Sequence, residues 1–134
     1  MSVTNRVKGP FDVKTIPQPP EEAAAGAAIG RMLLDKKFHG ALDATSKGQM
    51  LAVMTSVKDS AGYVAMEHVA GTLEGKRGTF ALQHTGTMNR GKQSLEINVV
   101  PDSGTGDLVG LTGKMAIVIT AGTHEYDFEY TLGG

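Results

Sequence analysis

Glycine-bearing turn signals recur along this chain, and the runs between them alternate apolar with polar side chains. That pattern constrains the fold more than any other feature. Alternation has the period of a strand, whose successive side chains point to opposite faces. A turn too short to hold a crossover sends each strand back antiparallel to the last. Residues 11–16, 29–45, 50–57, 63–74, 79–88, 92–100, 114–120 and 123–132 read as strands. The turns between them are Lys47-Gly48, Asp59-Ser60-Ala61-Gly62, Gly75-Lys76, Asn89-Arg90-Gly91 and Ala121-Gly122, with 101–106 a longer loop. Pro17, Pro19 and Pro20 are expected to stop the first strand, because proline brings no donor to a ladder. Gly40 is expected to allow a bend in the second run. Sequential antiparallel strands in this number predict an all-β, eight-stranded antiparallel closed barrel of up-and-down topology. At most a short helix near residues 20–28 interrupts it, since Gly26 and the short length oppose a longer one. One barrel domain is expected over 1–134, with 1–9 a flexible or loosely packed N-terminal segment.

The composition removes several classes of function. With no cysteine, disulfides, thiolate metal sites and cysteine nucleophiles are excluded. The net charge of −1 comes from acids and bases scattered along the chain, so no basic patch marks a nucleic-acid binder. Tryptophan is absent and only 5% of residues are aromatic, a poor supply of base-stacking platforms. No apolar run opens the chain as in a signal peptide, and none approaches the ~18 residues of a spanning helix. A cytoplasmic protein with no nucleic-acid or membrane partner is expected.

Register then decides which polar residues turn inward. With Gly75-Lys76 as the loop, Gly71 faces Phe80, Val69 faces Leu82, and Glu67 faces His84. Tyr63, Ala65, Val69 and Leu73 share that face with Phe80, Leu82 and Met88, so it is read as the interior. With Ala121-Gly122 as the loop, Ile119 faces His124, Ile117 faces Tyr126, and Met115 faces Phe128. His124, near one rim, and Tyr126 then point inward. A two-residue Arg90-Gly91 loop brings Leu95, Ile97 and Val99 alongside Leu82 and His84, and burial favours it over the alternative register that turns Glu96 and Asn98 inward. His39 and His68 fall on the outer face. The methionines are read as core filler.

A Glu and a His on an apolar interior face are the candidate chemistry. An unpartnered buried carboxylate is costly, so a Glu67–His84 pair is expected. An apolar pocket can raise a carboxyl pKa enough to make it an acid, and histidine exchanges protons near neutrality. The pair would serve first as a structural contact, next as the polar end of a ligand site, and last as an acid–base couple. A metal reading would join Glu67, His84 and His124, but no spacing motif supports it and no metal is expected. Gly104-Thr105-Gly106 lacks the lysine of a phosphate loop, and its glycines are assigned to backbone geometry.

The run Gly78-Thr79-Phe80-Ala81-Leu82-Gln83-His84 resembles the strand before the closing segment of allene oxide cyclase barrels. Ser103 to Gly113 resembles their glycine-spaced closing segment. Over 10–132 the chain is more similar to an uncharacterised bacterial family with that barrel fold. Gly62-Tyr63-Val64-Ala65-Met66-Glu67, Phe80-Ala81-Leu82-Gln83-His84 and Val99-Val100-Pro101-Asp102-Ser103-Gly104-Thr105-Gly106 carry this similarity. The resemblance implies an oligomeric barrel with an interior cavity; a homodimer is favoured and no cofactor is expected. Plant cyclases hold a fatty-acid epoxide in that cavity and use a first-strand glutamate, which would fall near Asp12. Lys14 stands where a neutral amide is expected, so the chain departs from the cyclase pattern there.

The leading expectation is a barrel that binds a small, largely apolar molecule, lined by Tyr63, Glu67, Phe80, Leu82, His84, His124 and Tyr126. The alternatives are a cofactor-free isomerase or cyclase using Glu67 and His84, with Tyr126 as a hydrogen-bond donor, and a structural or interaction barrel whose interior is filled.

Overall fold

The computed structural model describes residues 4–19 and 29–133. They form eight antiparallel strands closed in sequence order: β1 (Thr4–Gln18), β2 (Gly30–Phe38), β3 (Leu42–Met54), β4 (Ala61–Leu73), β5 (Lys76–Asn89), β6 (Lys92–Val99), β7 (Leu111–Thr120) and β8 (Thr123–Leu132). The expected all-β closed barrel is the observed fold. Among the described residues the one helical element is a 3-10 turn at Gly106–Leu108, and no helix is long and apolar enough to cross a membrane. The short helix expected near 20–28 lies outside the described residues.

Closure runs through β1. Thr4 to Pro10 pair with β8, and Phe11 to Gln18 pair with β2. Such a stagger is what tilted strands need to close. The N-terminal segment expected to be loose is corrected over residues 4–9, which form ladder pairs with β8 and bury Val7. The strand also continues through Pro17, opposite Met32. β1 has a neighbour on one side only at that point, and edges tolerate proline.

Two turns differ from the sequence reading. The first hairpin reverses at His39-Gly40-Ala41, where Gly40 takes φ +95°, and not at Lys47-Gly48. Lys47 and Gly48 sit within β3, opposite Asp35 and Leu34. Gly48 is needed for close approach: a Cβ there would lie 2.4 Å from the Met66 carbonyl oxygen and 3.0 Å from Glu67 Cγ. In the β4–β5 hairpin, the loop is Glu74-Gly75 at φ 48° and 83°. Two left-handed residues make a type I′ turn, whose twist suits a hairpin. Ladder partners therefore slide by two from the expected register. An even slide keeps every side chain on its face and changes only its opposite neighbour. Glu67 faces Leu82, and His84 faces Ala65. The Arg90-Gly91 and Ala121-Gly122 hairpins take the expected registers, pairing His84 with Ile97 and Ile117 with Tyr126.

The two ends of the barrel are built differently. At the end bearing the 39–41 and 74–75 turns the interior is solid. Phe38, Leu42, Leu73, Phe80, Leu82, Tyr126 and Phe128 are fully buried there. Phe80 stacks on Phe128 at 5.9 Å, and Tyr126 meets Phe38 edge-on at 5.7 Å. The glycine-spaced segment after β6 closes this end. Leu108 is buried as its plug. Ser103 Oγ and Thr105 Oγ1 accept from the Ala81 and Thr79 amides, and the Thr105 amide donates to the Thr79 carbonyl. The segment thus replaces the ladder that β6 is too short to supply. A Cβ on Gly104 would lie 1.9 Å from the Leu108 carbonyl oxygen, and one on Gly78 would lie 2.0 Å from that of Thr105.

At the opposite end, beneath the 55–60, 90–91 and 121–122 turns, the inner face opens to solvent. Ile119, on the inward side of β7, is 64% exposed. Met115 is buried in the core, but Met50 and Met88 are partly exposed and Met54 and Met66 are exposed, so core filler does not describe those four.

Candidate functional site

Four adjacent strands place four polar side chains between the solid half and the open half. On β2, Leu34, Lys36 and Phe38 alternate inward, and all three are buried. Lys36 faces Ser46 on β3, Gly48 faces Glu67 on β4, and β5 brings in His84 beside Ala65. Lys36, Ser46, Glu67 and His84 are the buried polar residues of the described interior.

Glu67 is their centre. Its Oε2 accepts from Lys36 Nζ at 2.9 Å and makes a short hydrogen bond with His84 Nε2, while Oε1 accepts from Ser46 Oγ at 2.7 Å. The expected Glu67–His84 pair is therefore in contact, although the two residues are diagonal and not directly opposed. Burial by itself would push the Glu67 carboxyl up. The His84 hydrogen bond, the Lys36 ammonium and the Ser46 hydroxyl outweigh burial and hold it at about 2. Glu67 is thus an ionised acceptor, and the raised-pKa acid considered from sequence is not what this surrounding produces. Lys36 also lies 5.3 Å from the Phe11 ring centre and 6.0 Å from that of Phe38, which adds a favourable cation–π contact.

His84 links this set to the open half. Its Nδ1 is 3.3 Å from the Tyr63 hydroxyl. The Tyr63 ring lies across Gly86, its ladder partner, where a Cβ would come within 2.3 Å of the ring. Burial and the nearby Glu67 charge raise the Tyr63 pKa, so the phenol keeps its hydrogen. Tyr63 also borders a cavity of about 400 Å³ at the open end, together with Met50, Ala52, Met54, Met88 and Leu95.

The other residues singled out from sequence lie elsewhere. Phe80 and Leu82 fill the solid core and do not border this cavity. Tyr126 is a structural latch: its hydroxyl donates to the His39 carbonyl at 2.7 Å and accepts from the Leu42 amide at 3.0 Å. His124 packs against Phe11, ring centres 5.5 Å apart, in a partly exposed position. Among the described residues, no group of three His, Asp or Glu side chains could hold a metal. Asp12 points outward and meets His39 Nε2 at 2.9 Å on the surface. It is not placed as an interior carboxylate.

Lys36 and Ser46 are absent from the sequence reading, and the misplaced first hairpin is the reason. A turn centred on Ala41, just past Gly40, would have set Lys36 opposite Ser46. The Leu34-Lys36-Phe38 alternation would then have turned both inward.

The fold, its plug segment and the buried tetrad sit within one region of detectable kinship. A solved structure from Shewanella oneidensis MR-1, described as a protein with unknown function from the DUF3224 family, is 48% identical. The match covers 98% of this chain and 99% of that one, with a TM-score of 0.91. No curated protein is significantly similar to the chain. Residues 7–130, which include all four tetrad residues and Tyr63, match the family described as protein of unknown function (DUF3224), and the chain belongs to that family.

Proposed function

We propose that this barrel binds a small, largely apolar molecule in the cavity at its open end. The observation that carries the reading is the cavity itself: about 400 Å³, walled by Met50, Ala52, Met54, Met88 and Leu95, with Tyr63 joined to a buried charged set behind it. Small-molecule sites are concave, mostly apolar and supplied with a few convergent polar groups. Methionine walls adapt to irregular shapes. The likeness to allene oxide cyclase barrels adds support, since those barrels hold an apolar molecule inside. The open half and its cavity argue that a filled interior describes only part of the barrel.

Native mass spectrometry of the protein purified from its own host, followed by small-molecule analysis after denaturation, tests the reading. A stoichiometric compound is expected. It should be lost in Ala52→Trp, which fills the cavity wall without touching the tetrad. An empty spectrum, together with apolar probes that fail to bind the wild-type protein, rejects the reading. The same spectrum counts subunits and so tests the expected homodimer.

A second reading is favoured by the Glu67–His84–Tyr63 chain, which has the carboxylate–imidazole–hydroxyl order used to move protons. In a cofactor-free isomerase or cyclase, Tyr63 would face the substrate and His84 would exchange the proton, while Glu67 orients the imidazole. Conversion of the retained compound would then be lost in Lys36→Met/Glu67→Gln, which leaves no unpaired buried charge, while binding and fold persist.

A further inference from the structure

The ladders set the inward side chains of the open end in rows. Ala61 on β4 stands opposite Met54 on β3 and Met88 on β5, and all three border the cavity. One row deeper, Tyr63 stands between Ala52 and Gly86. The upper row is a slot, with two long thioethers flanking a single methyl group. Neighbouring strands are about 4.8 Å apart, so β3 and β5 hold these methionines roughly 10 Å from each other across Ala61. A thioether sulfur favours an aromatic ring at about 5 Å, so two sulfurs on opposite sides of one ring span the same roughly 10 Å. No charged side chain is among the described residues that border the cavity. Met54 is 76% exposed, the most of any large apolar side chain among the described residues, although its place in β3 turns it inward.

We infer that the ligand carries a flat aromatic ring system, which enters this slot and is held between the thioethers of Met54 and Met88. This rests on the binding reading above and narrows it to a chemical class. A saturated chain or a puckered ring would gain burial in the same place but no sulfur–ring contact. Leucine would line a site for such a ligand equally well, and it loses less rotamer freedom than methionine on being covered. Two methionines in one row, separated by the smallest chiral side chain, suit a ring better than a chain. Ala61 leaves depth for the ring edge, and Tyr63, lying across Gly86, forms the floor beneath it.

The test is calorimetric titration of the intact protein with naphthylmethanol and decahydronaphthylmethanol, which share a carbon skeleton and a solubilising hydroxyl and differ in aromaticity. Burial of apolar area alone gives the saturated probe at least equal affinity. The naphthyl probe is expected to bind tighter by about tenfold, from its two sulfur contacts. In Met54→Leu/Met88→Leu, which keeps the apolar volume, that preference should fall to about twofold or less while both probes still bind. Equal affinity of the wild-type protein for the two probes, or a preference for the saturated one, overturns the inference and leaves the binding reading standing. An undiminished naphthyl preference in the leucine variant also overturns it. If neither probe binds the wild-type protein, the cavity reading fails and the inference falls with it.

Discussion

Lys36→Met is the most informative single change, because it removes one charge from a sealed set and nearly conserves the stem. Lys36 is 6% exposed, and Glu67 has no exposed side-chain surface. The remaining partners of Glu67 would be Ser46 and His84. Removing one member of a buried ion pair costs about 3–5 kcal/mol, mostly because the other charge stays buried and uncompensated. The contacts of the ammonium with Phe11 and Phe38 add a smaller loss. For a domain of this size that corresponds to a fall in Tm of roughly 10–20 °C. Equilibrium urea denaturation at neutral pH measures it directly. The mechanism makes a second, sharper statement. In Lys36→Met/Glu67→Gln no unpaired charge remains, so the double variant should be more stable than Lys36→Met alone by about 2 kcal/mol. A loss under about 1 kcal/mol for Lys36→Met, or a double variant whose loss is the sum of the two singles, would refute the argument that charge compensation holds the tetrad.

Acid should act through the same group. The folded pKa of Glu67 is depressed from 4.5 to about 2, so its stabilising contribution is present above about 4.5 and is lost as pH falls through about 2. The amount is about 3 kcal/mol, measurable as the change in urea midpoint over that window, and in Lys36→Met the loss should begin at higher pH. Leu82→Ala, in the fully buried half, should cost about 2–5 kcal/mol in the same assay, whereas a loss below 1 kcal/mol would mean that this half repacks freely. Gly104→Ala should cost about 2 kcal/mol or more, because its Cβ would drive against the Leu108 carbonyl; an unchanged melting temperature would mean that the plug is not seated as described. Tyr126→Phe should lose about 1–3 kcal/mol by leaving the Leu42 amide and His39 carbonyl without their partner, and amide exchange at Leu42 should quicken.

Strand alternation and short glycine turns determined by themselves that this chain is an antiparallel barrel. Each is a local rule with one outcome: period two for a strand, a tight loop for a reversal. They also set the face of Glu67, His84 and Tyr63, because the slide in the β4–β5 register was even and parity survived it. The register of the last hairpin was legible for the same reason, Ala121-Gly122 being the only tight-turn signal between two long alternating runs. Partner identity was not legible. Gly40 and Gly48 are equally good turn candidates on paper, and only packing distinguishes them: one bends the backbone with positive φ, and the other makes room for Glu67. That choice decided whether Lys36 and Ser46 reached the carboxylate, and hence whether Glu67 is an acid or a fixed anion. The division into a solid end and an open end also came from the tertiary structure alone. It depends on how far each strand extends beyond its neighbours and on the plug that seals one mouth, quantities that no side-chain period encodes.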